Sequence, residues 1–101
     1  MTVYVVVQVK ITVRETYDRY QSNFMEVFNQ FDGKLLANDE SPRLLEGDWD
    51  KDKLVLIAFP DKGAFTAWAT SSAYTEIAKD RLAGGEATIL LVQGLDDLQQ
   101  V

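Results

Sequence analysis

The chain has 101 residues, carries 16 acidic against 10 basic side chains for a net charge of -6, and contains neither cysteine nor histidine. Without cysteine there is no disulfide framework, thiol nucleophile or thiolate metal site. Without histidine, serine–histidine catalysis and ordinary zinc hydrolysis are excluded and the usual pH switch is gone.

The acidic balance would repel a polyphosphate, and no run of Lys or Arg offsets it, so no nucleic-acid partner is expected. No apolar stretch approaches the roughly 20 residues that cross a bilayer, so no membrane partner is expected either. A cytoplasmic location is the expectation. The hydrophobic fraction of 47% suits one ordinary core. A single domain is expected over residues 1–101, with its core at about 3–94 and a short acidic tail after it.

Residues 3–11 (Val-Tyr-Val-Val-Val-Gln-Val-Lys-Ile) are β-branched and nearly all apolar, the composition of a central strand covered on both faces. Thr12 and Glu15 have capping-box spacing, so a helix should start near Val13 or Arg14. Tyr17, Tyr20, Phe24, Val27, Phe28 and Phe31 recur at three and four residues and form one apolar stripe, which predicts a helix to about Phe31 with Gly33 as its C-terminal cap.

Lys34–Ala37 reads as a second strand, broken by Asn38–Pro42 and resumed at Arg43–Glu46. Gly47–Asp52 is a polar connection, and Lys53–Phe59 a third, strongly apolar strand. Asp61 is placed to cap a helix with Phe65, Trp68 and Ala69 inward. Ser71 and Ser72 interrupt it and restart a segment carrying Tyr74, Ile77, Ala78 and Leu82, which Gly84-Gly85 stops. Ala87–Val92 is the last strand.

The order β-α-β-β-α-β is that of a ferredoxin-like α+β domain: a four-stranded antiparallel sheet with its helices on one face. Strands one, three and four are too apolar to leave the other face in water. Two copies stacked sheet to sheet about a two-fold axis would cover it, so a homodimer is expected.

Taken together and in order, Phe31-Asp32-Gly33-Lys34-Leu35-Leu36-Ala37, Leu44-Leu45-Glu46-Gly47-Asp48-Trp49, Leu56–Pro60, Ala67-Trp68, Ser72-Ala73-Tyr74, Arg81 and Leu91–Gly94 resemble the DUF1330 family. That resemblance implies a place in the dimeric α/β-barrel superfamily, which includes cofactor-free monooxygenases, muconolactone isomerases and haem-dependent enzymes. The family itself implies no assigned role. The lack of histidine argues against the histidine-ligated haem branch, and no cofactor is expected.

A cleft between helices and sheet is the natural place for a small ligand in this fold. Glu46 is a candidate acid or base there, or else a rim residue paired with Arg43. Arg81 lies seven residues after Tyr74, on the same helix face. It is a candidate fork for a ligand carboxylate or enolate, or else a partner for Glu46, Asp32 or a second subunit. Tyr17, Tyr20, Phe24, Trp68 and Tyr74 are candidate ligand contacts, although rings of this kind more often serve as core packing.

Asp48, Asp50 and Asp52 alternate like the start of a calcium loop. The twelfth position is Phe59, however, and no metal is expected. The expected function is the binding of a small apolar or weakly acidic organic molecule. The alternative is a cofactor-free enzyme acting on a small aromatic or lactone-type substrate, with Glu46 as acid/base and Arg81 at the oxyanion.

Overall fold

A computed structural model describes residues 1–95; the acidic tail read from the sequence lies mostly outside them. The elements are β1 (Val3–Ile11), α1 (Arg14–Phe28), β2 (Lys34–Asp39), β3 (Lys53–Phe59), α2 (Lys62–Ala69), α3 (Ser72–Gly84) and β4 (Gly85–Gln93). The strands form one antiparallel sheet in the order β2-β3-β1-β4, the ferredoxin-like arrangement.

Strand period sets the two faces. Val3, Val5, Val7 and Val9 of β1 and Lys53, Val55, Ile57 and Phe59 of β3 point toward the helices and are buried. The register places Val5 opposite Ile57 and Val9 opposite Lys53. The core lies between this face and the helices, with Tyr17, Phe28, Phe59, Ile57, Val5 and Val9 as its most enclosed large side chains. The other face carries Tyr4, Val6, Leu54 and Leu56, only half-buried, beside Leu90 and Val92, which are 49% and 42% exposed.

The two later helices start as their sequence requires. Asp61 Oδ1 accepts from Ala64 N at 2.8 Å and caps α2, and Ser71 Oγ accepts from Tyr74 N at 3.1 Å and caps α3. The start of α1 differs from expectation. Thr12 N and Val13 N both donate to the Gly84 carbonyl, at 2.9 and 3.0 Å, so Val13 becomes the N-cap, without a side-chain bond, and the Thr12–Glu15 capping box does not form.

The end of α1 also differs. The helix stops at Phe28, and Gln30 N and Phe31 N bond back to Val27 and Phe28 carbonyls in tightened turns. Gly33 is therefore not its cap. Glycine is needed there because a Cβ would lie 2.5 Å from Phe28 Cζ and 2.7 Å from Phe59 Cε1.

The second strand is not resumed. β2 runs on to Asp39 with a register shift between Leu35 and Ala37. Ser41 N then bonds Asp39 Oδ1 at 2.8 Å, an Asx-type turn that carries the chain off the sheet edge just before Pro42. Arg43–Glu46 belong to the loop that follows, where Leu45 is 85% exposed.

The helices meet at Gly84, where a Cβ would stand 2.6 Å from Tyr17 N and 2.9 Å from Tyr17 Cα. Backbone cannot yield as a flexible side chain does. Gly84→Ala should therefore destabilise the chain by about 2–3 kcal/mol in urea unfolding. Asp61→Ala, which removes one cap, should cost only about 1 kcal/mol.

Candidate functional site

The aromatic stripe of α1, the inward face of α2 and the first turns of α3 converge on Trp68. Its ring lies 4.3 Å from that of Tyr74, 5.5 Å from Phe59, 5.7 Å from Phe28 and 6.1 Å from Phe24, centroid to centroid. Tyr20 and Tyr74 join hydroxyl to hydroxyl at 3.0 Å.

Beside this cluster, between the helices and the inner sheet face, lies a cavity of about 250 Å³. That exceeds the roughly 150 Å³ that accepts benzene and falls just below the usual range for drug-sized ligands, so it suits a molecule of one or two rings.

Six of the seven side chains picked out from the sequence line it: Tyr17, Tyr20, Phe24, Trp68, Tyr74 and Arg81. The seventh, Glu46, does not; it is exposed in the loop that leaves the sheet after β2. The proposed pairing of Glu46 with Arg81 is absent, and Arg81 forms no ion pair among the described residues. Its Nε is buried without a partner among the described residues, as is Nε1 of Trp68, whose residue is only 4% exposed.

A buried donor left unmatched costs about 1–3 kcal/mol. Burying an aromatic ring of 150–250 Å² returns about 4–6 kcal/mol, so Trp68 remains a net stabiliser. A phenyl ring would give much of that gain without the unmatched N–H, so packing alone does not account for the indole.

The sequence reading missed Lys53, which is only 3% exposed and lines the cavity. Strand alternation carried the signal: an inward Val55 and Ile57 put Lys53 on the inward face. Its Nζ donates to Gln21 Oε1 at 2.7 Å and sits 4.8 Å from the Tyr17 ring centroid. Burial lowers its pKa, opposed in part by Glu40. Glu40 itself is exposed and ion-paired to Arg14, Nη1 to Oε1 at 2.7 Å, which holds its carboxyl below the ordinary value.

The lining thus holds two basic side chains, Lys53 and Arg81, and no carboxylate. Burial pushes the Tyr17 hydroxyl up to about 12, and the Tyr20 hydroxyl rises for the same reason, with Tyr74 adding to it. Both hydroxyls are therefore neutral donors or acceptors near neutral pH. Among the described residues no group of His, Cys, Asp or Glu is placed to hold a metal ion, and no helix is long and apolar enough to cross a membrane.

Fold and cavity define a ferredoxin-like α+β protein with an aromatic-walled chamber. The chain belongs to the DUF1330 family, a domain of unknown function whose model matches residues 2–95. A solved protein of unknown function from Rhodopseudomonas palustris is similar at TM-score 0.79 and 20% identity, over 94% of this chain and 83% of that one. A dimeric ferredoxin-like protein of unknown function from Jannaschia sp. CCS1 is similar at TM-score 0.67 and 14% identity, over 93% of this chain and 100% of that one. SnoaB, a cofactor-independent oxygenase from Streptomyces nogalater, is similar at TM-score 0.66 and 15% identity, over 98% of each chain. These likenesses establish the fold. No curated protein matches the chain.

The titrations have opposite signs. Tyr17 keeps its proton to about pH 12 in the folded chain but loses it near 10.0 when unfolded, so its contribution is complete below 10.0 and is lost as pH rises toward 12. Urea unfolding across that window should show falling stability, and Tyr17→Phe should flatten part of the fall. Lys53 gives up its proton below its ordinary 10.5 when folded, so the folded state is penalised at neutral pH and recovers as pH rises toward 10.5. Any stability that Lys53→Met gains at neutral pH should shrink over the same rise.

Proposed function

We propose that the chain is a homodimer whose subunits each bind a small, largely apolar organic molecule in the chamber between helices and sheet. The observation that carries the reading is the chamber's make-up: aromatic walls, room for one or two rings, and the basic side chains Lys53 and Arg81 in the lining. Few convergent polar groups set in an apolar wall are the general form of a ligand site.

The outer sheet face supports the dimer. Tyr4, Val6, Leu54, Leu56, Leu90 and Val92 make an apolar surface with no helix over it among the described residues, and Trp49 borders it through a 3.0 Å bond from Nε1 to Gln8 Oε1. The Jannaschia neighbour is described as dimeric, which agrees.

Native mass spectrometry should give twice the chain mass, and Leu56→Asp with Leu90→Asp should give monomers. A monomer at working concentration without these changes overturns the dimer. A thermal-shift screen of small aromatic and alicyclic compounds tests the chamber. A ligand at about 100 times its Kd adds about 2.7 kcal/mol, a rise of roughly 10–20 °C for a chain this size. No shift across the screen counts against binding. Glu46→Gln should leave any such shift unchanged, because Glu46 lies away from the lining.

A second reading is a cofactor-free enzyme, favoured by the likeness to the cofactor-independent oxygenase and by Lys53. With Glu46 outside the chamber, the basic group available to take a carbon-bound proton is the Lys53 amine, with Arg81 facing the resulting oxyanion. Deuterium exchange into an enolisable aryl ketone, followed by NMR, should be accelerated by the protein and abolished by Lys53→Met. Exchange at the buffer rate removes this reading.

A further inference from the structure

We propose that Lys53 condenses reversibly with a one- or two-ring aromatic aldehyde held in the chamber, forming an imine. This inference rests on the binding reading above and adds a reactive carbonyl to the ligand.

The position of the amine comes first. Lys53 is the first residue of β3, on the inward face opposite Val9, and it lines the chamber although it is only 3% exposed. Its Nζ stands between two other lining side chains. It donates to Gln21 Oε1 at 2.7 Å and lies 4.8 Å from the centroid of the Tyr17 ring. An ammonium has three donors, and a single hydrogen bond is made here among the described residues. Loss of one proton frees a lone pair and keeps that bond, because an amide oxygen accepts from a neutral amine as well.

The surroundings favour that loss. Lys53 forms no ion pair among the described residues, and no Asp or Glu lines the chamber. A cation set in an apolar wall against a neutral amide is costly to keep charged. Burial lowers its pKa; Glu40 and Asp18 oppose the shift and Arg14 adds to it. Both of those carboxylates are engaged by Arg14, at 2.7 Å from Glu40 and 3.1 Å from Asp18. A methionine would fill the same place without the cost, so packing alone does not account for a lysine there. A desolvated lysine amine at the wall of an apolar chamber is the arrangement that attacks carbonyl carbon.

The condensation needs no other reactant. The nitrogen lone pair adds to the carbonyl carbon, and the carbonyl π pair moves to oxygen. Two protons pass from nitrogen to that oxygen, which leaves as water while the C=N bond forms. Amine and aldehyde thus give imine and one water, with no net oxidation or reduction. The aromatic lining of Tyr17, Tyr20, Phe24 and Trp68 suits a flat ring. An aldehyde fits better than a ketone, because the amine is nearly enclosed and hydrogen is the smallest group that a carbonyl carbon can carry against the wall.

The test treats the intact protein at pH 7 with 2-naphthaldehyde and sodium cyanoborohydride, which reduces an imine to a stable secondary amine. Peptide mapping by mass spectrometry then reads the labelling rate at each lysine. An ordinary lysine amine is almost wholly protonated at that pH. Lys53 should therefore be labelled at least about tenfold faster than Lys10, Lys34, Lys51, Lys62 or Lys79. An excess of 2-naphthol, which has the rings and no carbonyl, should slow labelling at Lys53 and leave the other lysines unchanged. Lys53→Met should remove the fast site; if that variant fails to fold, the peptide map of the unaltered protein decides by itself. Labelling of Lys53 no faster than of the other lysines overturns the inference. Fast labelling that 2-naphthol does not slow overturns the chamber as its route. A thermal shift with 2-naphthol but no fast labelling leaves the binding reading standing without the imine, and neither shift nor labelling overturns both.

Discussion

The structure depends on one packing event: the seating of the Trp68 ring among Phe24 and Phe28 of α1, Phe59 of β3, Phe65 of α2 and Tyr74 of α3. Every helix and one central strand contribute a ring to it. Aromatic pairs of this kind add about 0.5–1.5 kcal/mol each beyond their buried area. The cluster therefore outweighs the cost of the unmatched indole N–H and fixes where the helices sit on the sheet. The chamber is the space left where this packing gives way to Tyr20, Tyr17 and the end of β3.

That origin explains why the site is both apolar and basic. Large flat rings cannot fill the corner between α1, α3 and the sheet, and side chains entering from the elements' ends complete the wall. Lys53 enters from the first residue of β3 and Arg81 from the last turns of α3. The close approach of Gly84 to the Tyr17 backbone draws α3 onto α1 and keeps the Arg81 end of α3 near the ring of Tyr17. A glycine three residues from the half-buried Arg81 thus acts on the site through helix spacing alone.

The outer face poses the opposite problem. Strand period obliges β1 and β3 to show alternate residues to each side, and in this chain both sets are apolar. The helices cover one set. The other is covered only if something docks on it, and in the proposed homodimer a second copy of the same face is the cover.

Much of this was legible in the chain as text. Element order and type, the cap residues Asp61 and Ser71, the inward aromatic stripe and six of the cavity's side chains all follow from local spacing, because helix and strand periods act over a few residues. Errors fell where a distant partner overruled the local signal or where a local turn replaced the expected strand. The Gly84 carbonyl took the Thr12 and Val13 amides and removed the capping box; the Asp39 carboxylate turned the chain away and left Glu46 in a loop. Lys53 was visible as a strand residue, yet its burial depends on Gln21 of α1 and on the ring of Tyr17. The sequence by itself determined the ferredoxin-like order and the aromatic core, since both are written in short-range periodicity. Only the tertiary structure decided that Arg81 has no carboxylate beside it and that the chamber is basic, since ion pairing depends on distances between side chains far apart in the chain.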